Sequence, residues 1–155
     1  MPSAADLLGN RRRVLVTGGG GFIGGAVVRR LLRESNAIVF NLDKMGYASD
    51  LTSIEEVINE LGVEHQDRHQ LLPIDLCDAE AVQQAVEIAD PDLVMHLAAE
   101  SHVDRSISGP GVFIESNVTG TYNLLQAVRS HFEQLATERR EQFRLHHIST
   151  DEVFG

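Results

Sequence analysis

Apolar residues in this chain fall into two alternating kinds of run. Short apolar-rich stretches lie at residues 13–17, 37–42, 69–74, 93–97 and 143–150. Between them, apolar positions recur three and four residues apart. The short runs read as strands covered on both faces, and the longer ones as helices with one covered face. Residues 25–33 form the first such helix, with Ile23, Val27, Val28, Leu31 and Leu32 on one side and Arg29, Arg30, Arg33 and Glu34 elsewhere. A second spans 51–62, apolar at 51, 54, 57, 58 and 61, with Gly62 placed to end it. Asp78 caps a third that runs to Ala89. A long fourth extends from Val112 to about Phe132, and a shorter one covers 134–142. Residues 1–12 read as a loose leader, with Arg11, Arg12 and Arg13 a solvated start to the first strand.

The first strand runs into Gly18-Gly19-Gly20-Gly21-Phe22-Ile23-Gly24. Gly19, Gly21 and Gly24 match G-x-G-x-x-G, and Gly18, Gly21 and Gly24 match a looser spacing. Strand, glycine turn and helix in this order form a dinucleotide-binding fingerprint. A Cβ would block the tight turn or hold the backbone away from a pyrophosphate, and the last glycine lets helix and strand pack closely. The helix-start amides and the helix dipole then favour phosphate. The fold class is therefore α/β, a Rossmann-like doubly wound parallel sheet with right-handed crossovers. Residues 13–155 are expected to be its NAD-binding domain.

Asp43 ends the second strand, where an acid binds the ribose hydroxyls of NAD and disfavours the 2′-phosphate of NADP. The alternative is that it only turns the chain. Asp75 ends the third strand and, by analogy with other such sheets, lies beside the adenine. Cys77, in the turn after it, reads as a small apolar filler. Beyond the fourth strand, small Ala98 and Ala99 allow close approach of a cofactor, and the run Glu100 to Ser106 is dense in functional groups. The fifth strand leads to Thr150-Asp151-Glu152. Strands one, four and five would be neighbours, so these groups converge near the nicotinamide end. Paired carboxylates in a confined site can share one proton, letting one donate and the other accept. The alternative is a turn-capping Asp151 and a solvated Glu152. His96 reads as a hydrogen-bonded core residue, and His146 and His147 face opposite ways along a strand. No histidine spacing suggests a metal.

Composition narrows the class. The 155 residues are 43% hydrophobic and 23% charged, which suits a folded domain. A formal net charge of −10 argues against nucleic acid as a partner. No apolar run is long enough for a membrane span, and no signal-peptide pattern precedes Gly18. Cys77 is the single cysteine, so a cytoplasmic location is expected.

Four stretches together carry a family resemblance: Leu15 to Gly24, Asp43-Lys44, His96 to Ile107 and Ile148 to Gly155. From about Arg13 onward, the chain resembles the N-terminal part of the dTDP-glucose 4,6-dehydratases, in the extended short-chain dehydrogenase/reductase (NAD-dependent epimerase/dehydratase) family. The resemblance implies a lyase of deoxysugar biosynthesis. With NAD it would oxidise C4 of a nucleotide-bound glucose, remove water across C5 and C6, and return the hydride to C6. It further implies that Thr150 hydrogen-bonds the 4-hydroxyl, Asp151 protonates the departing C6 hydroxyl, and Glu152 removes the C5 proton. Ser101 would touch both cofactor and sugar. Phe22, Ile23, Asp43, Lys44, Met45, Gly46, Asp75, Leu76, Leu97, Ala98, Ala99, Ser101 and Ser116 match cofactor-contacting positions, and a homodimer is implied for the full-length protein. Gly20, Met45-Gly46 and Ser116 depart mildly from the family pattern. The family's Tyr-x-x-x-Lys pair has no match, since neither Tyr47 nor Tyr122 has a lysine four residues on. Set against the family, the sheet is expected to be truncated after the fifth strand and residues 13–155 to be an incomplete NAD-binding domain with the C-terminal substrate domain absent, so the 155 residues alone are expected to be inactive. An epimerase or decarboxylase of the same superfamily acting on another nucleotide sugar, and a non-catalytic dinucleotide-binding or interaction module, are the competing readings.

Overall fold

The computed structural model describes residues 2–101, 107 and 109–150. Five strands, β1 (Arg13–Thr17), β2 (Ile38–Leu42), β3 (His69–Leu72), β4 (Leu93–His96) and β5 (Arg144–His147), form one parallel sheet in the order β3-β2-β1-β4-β5. β1 is central. Val14 pairs with Val39 on one side and Leu93 on the other, and Thr17 pairs with Leu42 and His96. The strand ends at Thr17, Leu42 and His96 therefore stand level, and every loop leaving them opens at the same edge.

Alternation along the strands divides the core into two layers. Val14, Val16 and Val39 point to one face, where α2 (Phe22–Glu34) and α3 (Thr52–Leu61) bring Val28, Leu32, Ile54 and Val57. Leu15, Phe40 and Val94 point to the other, against α4 (Ala79–Ala89) and its neighbours. Each such fully buried side chain contributes about 1.5–3 kcal/mol.

The expected loose leader is corrected here. Ala4–Leu8 form a helix, α1, closed by a capping box in which Ser3 Oγ accepts from the Asp6 amide and the Asp6 carboxylate accepts from the Ser3 amide. Leu8 is buried in the α2 layer, and the Ala4 amide donates to Glu34 Oε2 at 2.9 Å. Nor is the arginine run merely solvated: Arg13 donates to the carbonyls of Ala89 and Ile88 and lies over the Phe40 ring.

Other bounds shift for identifiable reasons. α2 begins at Phe22, so Gly24 and Gly25 are helical despite glycine's poor propensity. β3 stops at Leu72 because the Ile74 amide, which would bond β2 next, turns back to the Leu72 carbonyl at 2.9 Å. The long helix is three segments: α5 (Pro110–Ile114), a π-helical stretch Glu115–Gly120, and α6 (Thr121–Gln134). A short α7 (Thr137–Gln142) precedes β5. Asp78 caps α4 by accepting from the Ala81 amide, as expected. Cys77 is exposed and fills no core, which corrects the apolar-filler reading. Its amide donates to Asp75 Oδ1, so the turn points the thiol outward. Partial desolvation and the Asp75 carboxylate push that thiol's pKa up.

Candidate functional site

A cleft of about 500 Å³ opens over the carboxyl ends of β1, β2 and β4. Its floor is the glycine turn. Gly18 has φ +74°, a left-handed conformation, and a Cβ there would stand 2.7 Å from the Ala98 Cα. A Cβ on Gly24 would collide with the Gly18 carbonyl oxygen, and one on Gly19 with the Asn41 amide group. At Gly21, by contrast, a Cβ would touch only the Gly18 oxygen, at 3.3 Å. Gly21 is also the N-cap of α2, without a side chain to satisfy the first-turn amides of Phe22 and Ile23. Phe22 is 96% exposed, an unusual place for a large apolar side chain. Turn and helix start thus present free donors and a positive dipole end at the cleft.

Asp43 closes the turn from the β2 side. Its side chain is buried; Oδ2 accepts from the Gly20 amide at 2.9 Å, and Oδ1 accepts from the Met45 amide at 2.8 Å and Ser49 Oγ at 2.7 Å. The carboxylate is thereby held in one orientation, tied both to the turn and to the loop behind it. Ser49 escaped the sequence reading, because its role depends on a loop folding back over six residues. The tie also explains glycine at position 20: a Cβ there would lie 2.9 Å from the Ser49 Cβ and 3.0 Å from Asp43 Oδ2.

The rest of the lining assembles from three more loops. Asp75 and Leu76 enter after β3, Leu97, Ala98, Ala99 and Ser101 after β4, and Ser116 from the π-helical stretch. Lys44 and Gly46 follow Asp43. Of the expected cofactor positions, Met45 alone does not line the cleft: it takes φ 53°, and its amide serves Asp43. Thr150 is exposed beyond β5 and is not part of this lining. Asp151 and Glu152, and the run His102 to Ser106, lie outside the described residues.

Beneath the β4 loop runs a buried hydrogen-bonded chain. Thr17 Oγ1 accepts from the amides of Leu97 and Ala98, both at 3.2 Å, so its own proton is free to go to His96 Nδ1, 2.6 Å away. His96 Nε2 then carries the ring proton and donates to Thr121 Oγ1 at 2.9 Å. Burial, and then the neighbouring His147 ring, lower the His96 pKa to about 4, so the ring is neutral. The chain ties β1, β4 and α6 together and fixes the backbone that carries Ala98. The expected role of His96 as a satisfied core residue holds.

A second tie crosses the cleft. Lys44 Nζ donates to Glu100 Oε1 at 2.6 Å and lies 3.4 Å from Ser116 Oγ. Glu100 is itself clamped by Asn117, which accepts from its amide at 2.8 Å and donates to its carbonyl at 2.9 Å. Burial works against the Lys44 charge, but Glu100 outweighs it and holds the ammonium pKa above its usual value. Asn117 carried no sequence signal, since seventeen positions separate it from Glu100. Among the described residues, no group of three or more His, Cys, Asp or Glu side chains could hold a metal ion, and no helix is long and apolar enough to cross a membrane.

Comparison with known proteins places this arrangement. The chain is 49% identical over 144 residues to the dTDP-glucose 4,6-dehydratase of Neisseria meningitidis serogroup B, an alignment covering 93% of this chain and 39% of that protein. Among solved structures, the dTDP-glucose 4,6-dehydratase of Bacillus anthracis in complex with NAD superposes with a TM-score of 0.70 and 26% identity, over 93% of this chain and 39% of that one. A Streptomyces venezuelae dTDP-glucose 4,6-dehydratase with NAD bound gives a TM-score of 0.66 and 39% identity, over 77% and 36%. The chain thus spans about two fifths of the length of the relatives it matches. The profile of the GDP-mannose 4,6 dehydratase family matches residues 15–155. With that match over most of its length, the chain belongs to that family, within the NAD-dependent epimerases and dehydratases of the extended short-chain dehydrogenase/reductase class.

Proposed function

We propose that this chain binds NAD in the cleft over β1, β2 and β4, and that it serves the dehydration of dTDP-glucose to a 4-keto-6-deoxy sugar nucleotide. The observation that carries the cofactor reading is the glycine turn. Glycine is required at positions 18 and 24 by backbone contact, yet the surface at Gly21 is open beside free helix-start amides. That is a cradle for a pyrophosphate, with a buried carboxylate next to it. The residues present therefore fit the dinucleotide. Amides of the turn hold the pyrophosphate, Asp43 the adenosine ribose hydroxyls, and Asp75 and Leu76 the adenine edge. Ala98 and Ala99 let the nicotinamide half lie close to the backbone.

Bound NAD supplies a hydride acceptor for C4 and later a donor for C6. Oxidation at C4 acidifies the C5 proton, and the remaining work falls to side chains. Glu152 takes the C5 proton, Asp151 gives a proton to the C6 hydroxyl, which leaves as water, and Thr150 hydrogen-bonds the 4-hydroxyl, whose proton goes to the tyrosine of the family's Tyr-x-x-x-Lys pair, a pair these 155 residues do not contain. Ser101, in the cleft lining, contacts both partners. A homodimer is part of the proposal. The exposed apolar residues Ile114, Val118, Tyr122 and Leu125, spaced three and four apart, support it. A cytoplasmic location completes it, supported by the single cysteine.

Two experiments test the reading. Calorimetric titration of the chain with NAD+ is expected to show saturable binding, weakened about tenfold by Asp43→Asn as one charge-assisted contact is lost. No saturable binding would end the cofactor assignment. For the reaction, the encoding gene is read past Gly155 and its whole product incubated with dTDP-glucose. Loss of one water by mass is expected, abolished by Asp151→Asn or Glu152→Gln. Unchanged substrate with the wild-type product would refute the dehydratase assignment. The 155 residues alone, with no Tyr-x-x-x-Lys, are expected to leave the sugar intact.

A further inference from the structure

The Lys44–Glu100 pair is placed where it bears on which dinucleotide the cleft accepts. Lys44 directly follows Asp43, lines the same cleft, and its side chain is 37% exposed. In sheets of this type, NADP sites use a nearby arginine to accommodate the 2′-phosphate, and a lysine offers the same charge. By position, then, this chain carries one residue that repels that phosphate and, next to it, one able to attract it. What decides between them is the state of the Lys44 charge. The structure assigns that decision to Glu100: by holding the Lys44 ammonium across the cleft, Glu100 denies it to a 2′-phosphate and makes the site selective for NAD over NADP.

Three observations support a fixed partnership. The Nζ to Oε1 distance of 2.6 Å is that of a short charge-assisted hydrogen bond. Glu100 is not a freely rotating surface acid. Its side chain is 15% exposed, and Asn117 grips its main chain at both the amide and the carbonyl. The grip uses backbone atoms, so it persists when the carboxylate is changed. Lys44 also has a fallback contact, Ser116 Oγ, which is neutral and does not cancel its charge. Asp75 and the Cys77 thiol also act on the Lys44 charge, and both remain after any change at Glu100. A second negative group arriving at the ribose would meet Asp43 and a lysine already neutralised. With Glu100 uncharged, it would meet Asp43 and an available cation.

This inference rests on the dinucleotide reading of the cleft. The test is calorimetric titration of the 155-residue chain with NAD+ and NADP+ at low ionic strength, for the wild type, Glu100→Gln, and Glu100→Gln with Lys44→Met. The wild type is expected to favour NAD+. Glu100→Gln should shift the ratio of dissociation constants about tenfold toward NADP+, the weight of one charge contact at a half-exposed site. The gain should shrink at high salt and vanish in the double variant, which marks Lys44 as the agent. An unmoved ratio in Glu100→Gln, or a gain that survives removal of Lys44, overturns the inference while leaving NAD binding standing. Binding of neither dinucleotide by the wild type would overturn both.

Discussion

The buried His96 makes a quantitative prediction about stability and pH. An unfolded histidine titrates near 6.5, whereas His96 in the fold is held at about 4 by burial and by the His147 ring, 4.9 Å away and edge-on. Between those values the unfolded chain binds a proton that the native chain refuses. Stability therefore falls as pH falls through this window, and above pH 6.5 the residue contributes no slope. The linkage gives a loss of about 2 kcal/mol by pH 5 and about 3 kcal/mol by pH 4, at roughly 1.4 kcal/mol per unit. Against a typical total of about 5–15 kcal/mol, that is a large fraction. In melting temperature it corresponds to about 4–8 °C between pH 8 and pH 5 for a domain of this size. Protonation also has a structural cost. Nδ1 would become a donor facing the Thr17 hydroxyl, whose lone pairs already serve the Leu97 and Ala98 amides. The assay is urea unfolding at several pH values, with His96→Asn as the non-titrating control, whose slope should be flatter by about 2 kcal/mol over pH 8 to 5. His69, also lowered by burial, adds to the same window in the same direction and persists in that control. Carbon chemical shifts of the His96 ring supply an independent readout in the unmutated chain. A ring that titrates near 6.5 would refute the reasoning outright.

Other consequences follow from single contacts. Gly24→Ala drives a methyl into the Gly18 carbonyl, so the α2 start must retreat; the expected cost is about 1–3 kcal/mol in unfolding experiments, with a larger loss of NAD+ affinity than of stability. Equal stability and affinity in that variant would show that the turn tolerates a side chain. Ser3→Ala removes the capping box of α1 and should cost about 1 kcal/mol, while amide exchange near Leu8 accelerates; unchanged exchange would mean the leader helix is held by Leu8 alone. Arg139 Nη1 reaches both carboxylate oxygens of Asp90 at 3.0 Å, and its Nε and Nη2 reach Asp92 Oδ1. Because its side chain is 39% exposed, Arg139→Ala should cost only about 1 kcal/mol, shrinking in high salt; a salt-independent loss would point to packing instead.

The positions of strands and helices were largely legible because a parallel sheet covered on both faces writes itself as short apolar runs between amphipathic ones. The glycine turn was legible because only glycine meets its steric demands, and Asp43 because it stands one residue past a recognisable strand. Propensity misled at two places. Gly24 read as turn yet is helical, since the absence of a Cβ there is what lets α2 approach the Gly18 carbonyl. Residues 2–12 read as loose because five helical residues carry too little periodicity to register, although Ser3 and Asp6 spell a capping box. Cys77 was misplaced because hydrophobic type alone does not tell which way a turn points.

What the sequence determined by itself was therefore local and steric: the order of elements, the required glycines, the acid at the end of β2 and the family to which these motifs point. What tertiary structure alone decided was which distant groups meet. Asp43 with Ser49 and Gly20, Thr17 with His96 and Thr121, and Lys44 with Glu100 under the clamp of Asn117 join residues from separate loops. No period or propensity encodes these meetings. They arise because Thr17, Leu42 and His96 end level at one edge of the sheet, and that register is set by backbone pairing across β1.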